Sequence, residues 1–214
     1  LHPSGLARLF APFVAAAIAV GGLFPALRVE AKAEPPFELT FPQETSKTDF
    51  SSTFGASRSG GRRHKGNDLM APKMTEVYAA AAGTVIEVSI NRLSGRFIRI
   101  EHTGGWTTHY LHLNNDTPGT DDGDADWSLT AAPGIEAGQH VEVGELIGWV
   151  GDSGNAEGSS PHTHFELQLD GVAVNPFTLL RAAFERDRRR EERLADRIAD
   201  SLSPYQDDQA VDMD

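Results

Sequence analysis

The sequence predicts a mainly β fold, a compact sheet or barrel, followed by a C-terminal helix. Three observations lead there. Apolar and polar residues alternate with a period of two over Thr84–Ile90 and Ile98–Glu101, as half-buried strands require. Val141–Val150 is β-rich and is punctuated by Gly144, Gly148 and Gly151, which suit tight turns or close backbone approach. Helical spacing of apolar residues occurs near the end of the chain, at Leu180, Ala183, Phe184, Leu194, Ile198 and Leu202.

Taken in chain order, residues 1–33 read as an export segment. Arg8 precedes an uncharged stretch from Leu9 to Leu27, and Ala31-Lys32-Ala33 fits a small-x-small cleavage site. The stretch is also about as long as a membrane span of roughly 20 residues, so an uncleaved tether is the alternative to a cleaved signal. Pro12, Gly21, Gly22 and Pro25 weaken that alternative. Residues 34–40, with Glu34-Pro35-Pro36, read as a linker, and 41–180 as the domain. Within it, 114–133 carries five aspartates and two glycines without apolar periodicity, and reads as a solvated acidic loop. Calcium binding is conceivable there, although the ligand order of an EF-hand is missing. Trp127 and Leu129 either pin this loop or line a groove.

The helix is assigned to 181–203, introduced by Asn175 as a cap and Pro176 in the first turn. Its interleaved arginines and acids read as a solvated salt-bridging face. Residues 204–214 read as an acidic disordered tail.

Composition removes several functions. With 19 basic and 31 acidic residues the formal net charge is −12, which opposes binding to nucleic acid or anionic lipid. There is no cysteine, so thiolate catalysis and thiolate ligation are excluded, and any metal must be held by imidazole and carboxylate.

His64 and Asp68, taken with the His162-Thr163-His164 triplet, supply such a set, suited to one Zn²⁺. Over Pro161–Asp170 strand parity puts His162, His164, Glu166 and Gln168 on one face, opposite Thr163, Phe165, Leu167 and Leu169. Gly66 argues against a regular helix between His64 and Asp68, so those two must converge through a turn or short strand. Over Trp106–Leu113, parity groups His112 with Trp106, Thr108 and Tyr110 and turns His109 the other way, without choosing which side holds the site. His102, His109 and His140 lack paired ligand-type neighbours and read as structural or surface residues. Arg58, Arg62, Arg63 and Lys65 cluster around the first ligand segment, where they either steer a carboxylate-bearing peptide or merely solvate a loop.

The strings FGASRSGGRRHKGNDLMAP, VYAAAAGTVIEV, TTHYLHL, VEVGELIGWVGDSGN, SPHTHFEL and VNPFTLL occur in this order. Together they resemble the M23 family of zinc metallopeptidases, of the LytM and lysostaphin type, over roughly 41–180. The resemblance implies a compact antiparallel β domain of the duplicated hybrid or barrel-sandwich kind. It implies a single Zn²⁺ in a groove, and as substrate the stem peptide or cross-bridge of bacterial peptidoglycan. Residue by residue it implies His64, Asp68 and His164 as zinc ligands, His112 rather than His109 as an active-site histidine, and His162 as its companion. Tyr110, within the Tyr-x-His-Leu motif, and Asn67, which stands where an apolar residue is common, are expected to contact substrate. Thr163 for a common Leu, and the long aspartate-rich loop, are the other departures. The expected protein is an exported zinc endopeptidase. The alternative is a non-catalytic module of the same fold that binds peptidoglycan or activates a wall amidase.

Overall fold

The strands run antiparallel throughout, as β-meanders joined by tight glycine turns allow. The structure, a computed structural model, describes residues 34–207, with side chains to 202. The export segment 1–33 and the tail beyond 207 lie outside the described residues. Ten strands precede one helix: β1 (Asp49–Phe50), β2 (Asn67–Met70), β3 (Glu76–Tyr78), β4 (Gly83–Asn91), β5 (Gly95–Glu101), β6 (Trp106–Leu113), β7 (His140–Val141), β8 (Leu146–Trp149), β9 (His162–Leu169), β10 (Val172–Val174) and α1 (Phe177–Asp207). The main sheet has the order β1-β2-β9-β6-β5-β4-β7, with β10 pairing the far end of β9, while β3 and β8 form a two-stranded sheet.

The core fills the face where Leu69, Ile98, Ile100, Tyr110, Phe165 and Leu167 are fully buried. β9 follows simple parity: Thr163, Phe165 and Leu167 have no exposed surface and point away from the His162–His164–Glu166 face. β4 does not follow it. Its register shifts between Val85 and Glu87, a bulge centred on Ile86. The extra residue shifts the alternation, so Val85 is buried while Ile86, at the bulge, is exposed; Ile90, beside the β4–β5 turn, is exposed as well.

The segment 34–40 is packed, not a free linker. Leu39 is buried, the Thr40 N–H donates to the Ala80 carbonyl at 2.8 Å, and Phe37 lies on the His102 ring. α1 begins at Phe177, four residues before the expected start, because Asn175 Oδ1 accepts the Phe177 N–H at 3.0 Å and Pro176 supplies a preset first turn. Its backbone continues to Asp207, into the segment expected to be a tail. Its acidic face is not wholly solvated: Asp187 accepts from Thr40 Oγ1 and from the Phe41 N–H, and Glu191 accepts from Thr45 Oγ1. Leu180 and Ala183 are buried, whereas Leu194, Ile198 and Leu202 are exposed.

The aspartate-rich loop is likewise built into the fold. Asp116 is buried and accepts from Lys73 Nζ at 2.6 Å; the same ammonium contacts Asp121 and lies 2.9 Å from buried Asp152. Arg96, also buried, donates to Thr130 Oγ1 and the Ala125 carbonyl and sits over the Trp127 ring. These contacts anchor the ends of the loop, since a buried carboxylate needs a cation beside it, while Asp121, Asp122, Asp124 and Asp126 are exposed, as a solvated acidic loop expects. Asp116, Asp121 and Glu157 are close enough to share an ion, and Lys73 already supplies positive charge to two of the three.

Candidate metal centre and groove

Antiparallel pairing of β2 with β9 sets Asp68 directly opposite His164, and pairing of β6 with β9 sets Leu111 against His164. Four residues before Asp68, a hairpin fixes His64: the His64 N–H donates to the Ala56 carbonyl, and the Gly55 N–H to the His64 carbonyl. Gly66 permits this approach. A Cβ there would stand 2.1 Å from the Phe165 carbonyl oxygen and 3.1 Å from His164 Nε2, so any side chain would force β2 away from β9.

His64 Nε2, Asp68 Oδ1 and His164 Nδ1 therefore meet, with separations of 2.8, 2.8 and 2.9 Å. The outer nitrogen of each ring is tied to an acceptor. His64 Nδ1 donates to the Thr53 carbonyl at 2.9 Å, and His164 Nε2 donates to Glu166 Oε1 at 3.0 Å. Those acceptors require N–H on the outer side, so in the neutral rings the inner nitrogens present lone pairs to one another and to the carboxylate. Three converging lone-pair donors of imidazole and carboxylate type fit a divalent cation, and Zn²⁺ in particular. Burial opposes ionisation of Asp68, yet hydrogen bonds from His164 and His64 outweigh it and hold the carboxyl well below the usual range. Burial likewise opposes protonation of His164, but Asp68 and Glu166 push its pKa above 6.5. Arg58 binds the other oxygen of Asp68.

His112 and His162 stand beside this cluster. Their ring centroids are 5.1 Å apart, and the His112 ring is 6.0 Å from that of His164. His112 Nδ1 donates to the Ser153 carbonyl and His162 Nδ1 to the Ser160 carbonyl, each at 2.8 Å, which leaves both Nε2 atoms as acceptors. Burial, reinforced by the neighbouring His162 and His164 rings, pushes His112 down to about 4, so it is neutral at pH 7.

The parity assigned to β6 fails at its end. The register against β5 shifts between Arg96 and Ile98, leaving Leu111 and His112 across from one residue, and His112 takes φ +61°. A bulge turns it out of the Tyr110 face and onto the face of His109 and Leu111. A left-handed backbone at a non-glycine residue is strained by about 1–3 kcal/mol; here the His112 N–H to the Ser94 carbonyl and the ring bond to Ser153 hold it.

Two expected substrate contacts do not reach the groove. Tyr110 is fully buried, accepts the Ala80 N–H, packs edge-on against Phe165 and is pushed up to about 12 chiefly by burial. Asn67 is also fully buried and donates to the Ser51 carbonyl. Strand alternation sends both to the core side. His109, read as structural or surface, instead lines the groove, with Nδ1 3.5 Å from Glu166. Glu166 had a legible face but no assigned role. The signal for it was its parity with His162 and His164. His102 is structural, between the Ala82 carbonyl and Thr108 Oγ1, and His140 is exposed.

The cluster forms the floor of an open groove of about 730 Å³, walled by Arg58, Arg62, Arg63 and Lys65 on one side and by Leu93, Asn155 and Ser159 elsewhere.

These features define the class: an antiparallel β domain whose His/Asp/His cluster, able to hold a metal ion, lies in an open groove. The chain belongs to peptidase family M23: the family model matches residues 62–124 and 127–176. Peptidoglycan DD-endopeptidase ShyC of Vibrio cholerae is 30% identical over 118 residues, covering 55% of this chain and 23% of that protein. Stage II sporulation protein Q of Bacillus subtilis is 30% identical over 118 residues, covering 54% of this chain and 36% of that protein. The crystal structure of a zinc-containing peptidase from Vibrio cholerae superimposes with a TM-score of 0.51 at 27% identity, covering 64% of this chain and 39% of that one. The chain thus spans about a quarter to a third of the length of these curated relatives. Among the described residues no helix is long and apolar enough to cross a membrane.

Proposed function

We propose that the protein is an exported zinc endopeptidase that hydrolyses peptide bonds in the stem peptides or cross-bridges of peptidoglycan. The observation that carries this reading is the convergence of His64 Nε2, Asp68 Oδ1 and His164 Nδ1, whose outer partners leave all three as donors to a cation. These three residues would hold Zn²⁺. The ion supplies Lewis acidity, which polarises a carbonyl and makes a water acidic enough to attack near neutral pH. Around it, His112 and His162 line the groove, each with its Nδ1 side tied to a main-chain carbonyl. One of them would take a proton from the attacking water and return it to the leaving amine as the C–N bond breaks, while the other, carrying a proton taken up from solvent, would donate a hydrogen bond to the developing oxyanion. The Thr53 carbonyl and Glu166 keep the ligand rings oriented, and Arg58 restrains the outer oxygen of Asp68. Similarity to a peptidoglycan DD-endopeptidase and to a zinc-containing peptidase supports both the substrate and the metal. Action on the wall requires export, in agreement with the reading of residues 1–33.

The test is incubation of zinc-loaded protein with purified sacculi and mass spectrometry of the released fragments. New amino termini at one bond type are expected. His64→Ala and Asp68→Ala should lose zinc and turnover together, whereas His112→Ala should keep zinc and lose about 10²- to 10⁴-fold in rate. A folded His164→Ala protein that cleaves at the normal rate would remove the ligand assignment. The similarity to stage II sporulation protein Q favours a second reading, a non-catalytic module that binds peptidoglycan or a partner. Stoichiometric zinc without any fragment release would select it.

A further inference from the structure

The groove wall has the wrong sign for the rest of the molecule. In a chain of net charge −12, its lining contains Arg58, Arg62, Arg63, Lys65 and Arg99, against two carboxylates, Asp68 and Glu166. Both carboxylates are already engaged by histidines. Arg58 is occupied by Asp68 and Arg99 by Glu87. Among the described residues no carboxylate lies within ion-pair distance of Arg62, Arg63 or Lys65, and all three are exposed.

The two guanidinium groups are nonetheless held in place. Arg62 donates to the Ser59 carbonyl and hydroxyl, and Arg63 to the Gly55 carbonyl and the Ser57 hydroxyl. All four partners are neutral, so they orient the guanidinium groups without cancelling their charge, and each group keeps further N–H donors for a ligand. The hairpin responsible is the one that fixes His64: the Arg58 N–H donates to the Arg62 carbonyl, and Ser57 bridges Arg63. Arg63 and Lys65 flank His64 in sequence, each about 4 Å away along the backbone. Arg62, Arg63 and Lys65 line the same groove as His64, Asp68 and His164, so a peptide lying across the metal cluster in that groove meets these cations.

Resting on the peptidase reading, we propose that Arg62, Arg63 and Lys65 form a carboxylate-recognition subsite. It selects peptides with a free carboxylate next to the scissile bond and disfavours the same peptides when that group is amidated. Guanidinium groups bind carboxylates through paired N–H···O bonds that a carboxamide cannot match. The carboxylate has two sources, a branch within the chain or the chain terminus.

The test uses the full chain carrying His112→Ala, which holds peptide uncleaved. Affinity is measured by calorimetry for acetyl-L-Ala-γ-D-Glu-L-Lys-D-Ala-D-Ala in four forms: the diacid, the form amidated at the glutamyl α-carboxylate, the form amidated at the C-terminus, and the doubly amidated form. One single amidation should weaken binding about 3- to 30-fold, and which one does so identifies the source. Adding Arg62→Ala, Arg63→Ala and Lys65→Ala should bring the diacid down to the amide level while leaving the amide unchanged. Arg62→Lys with Arg63→Lys should recover part of the preference, and the preference should shrink from roughly 0.05 M to 0.5 M salt. Equal affinity for acid and amide overturns the subsite. So does an equal loss for both in the triple variant, which marks a structural role of the hairpin. Competition by poly(glycerol phosphate) without any acid–amide difference overturns it in favour of a face for anionic wall polymers. The two readings fail separately. Cleavage of sacculi by the unmutated protein without acid preference removes the subsite alone; acid preference without cleavage removes the peptidase alone; no binding of any form removes both.

Discussion

Glu166→Gln should weaken zinc binding without moving any ligand. Glu166 is buried, accepts from His164 Nε2 at 3.0 Å and from Gln168 Nε2 at 2.6 Å, and faces His109. Burial opposes its ionisation, but hydrogen bonds from His109, His164 and Gln168 outweigh that and hold its carboxyl far below the usual range, so it is ionised at neutral pH. The glutamine is nearly isosteric and still offers an oxygen to His164, so what is lost is charge. A charge-assisted hydrogen bond is worth about 1.5–3 kcal/mol and a neutral one about 0.5–1.5. The difference of about 1–2 kcal/mol corresponds to roughly 5- to 30-fold in zinc affinity, within the about 10- to 100-fold typical of partners behind a metal ligand. The carboxylate also favours the protonated His164 that must release its proton to a metal, which works in the opposite direction at low pH. The comparison therefore belongs at about pH 8–9, above the ordinary imidazole range. Equilibrium competition with a colorimetric zinc chelator reads the affinity, and near-UV circular dichroism checks the fold. A Glu166→Gln protein that is folded and binds zinc within about twofold of the parent would refute the idea that Glu166 tunes His164.

Gly66→Ala should cost roughly 3 kcal/mol, since the new methyl meets the Phe165 carbonyl and the β2–β9 ladder must part. For a domain of this size that lowers the melting temperature by about 6–12 °C in a calorimetric scan. Lys73→Met leaves the buried carboxylates of Asp116 and Asp152 without their ammonium, and should cost about 2–4 kcal/mol by urea unfolding after allowing for the partial exposure of Lys73. Burial lowers the pKa of His102 below its ordinary 6.5. Its unfolded form thus takes up a proton first, and the stability it contributes is present above about pH 6.5 and lost as pH falls towards its folded pKa. Urea midpoints measured from pH 7.5 to about 5 should fall more steeply for the parent than for His102→Gln.

Much of the fold was legible because parity is a local property. β9 needed only alternation to separate Thr163, Phe165 and Leu167 from His162, His164 and Glu166, and the structure keeps that division. The failures sit where the backbone departs from a simple ladder. Ile86 and His112 occupy bulges, and a bulge inserts one residue that inverts every side chain after it. No composition rule marks those two positions, since neither is a glycine. The packing of the 34–40 segment and of the anchored ends of the aspartate-rich loop was hidden for another reason. Their partners, Ala80 and Arg186 for the first, Lys73 and Arg96 for the second, lie far away in sequence, so polarity alone resembled solvation.

The same distinction explains how the candidate site is built. Asp68 and His164 come together by strand pairing, which fixes backbone positions but leaves ring orientation free. Orientation comes from acceptors outside the strands or further along them: Thr53 for His64, Glu166 for His164, Ser153 for His112 and Ser160 for His162. Three of the four are main-chain carbonyls, which any residue type would supply, so no side-chain motif records them. Glu166 is the exception, and its effect is separable because a substitution there changes charge without changing the path of the chain. The ligand identities are thus written in side chains, while the arrangement that turns their lone pairs inward is written mostly in the backbone of the loops around them.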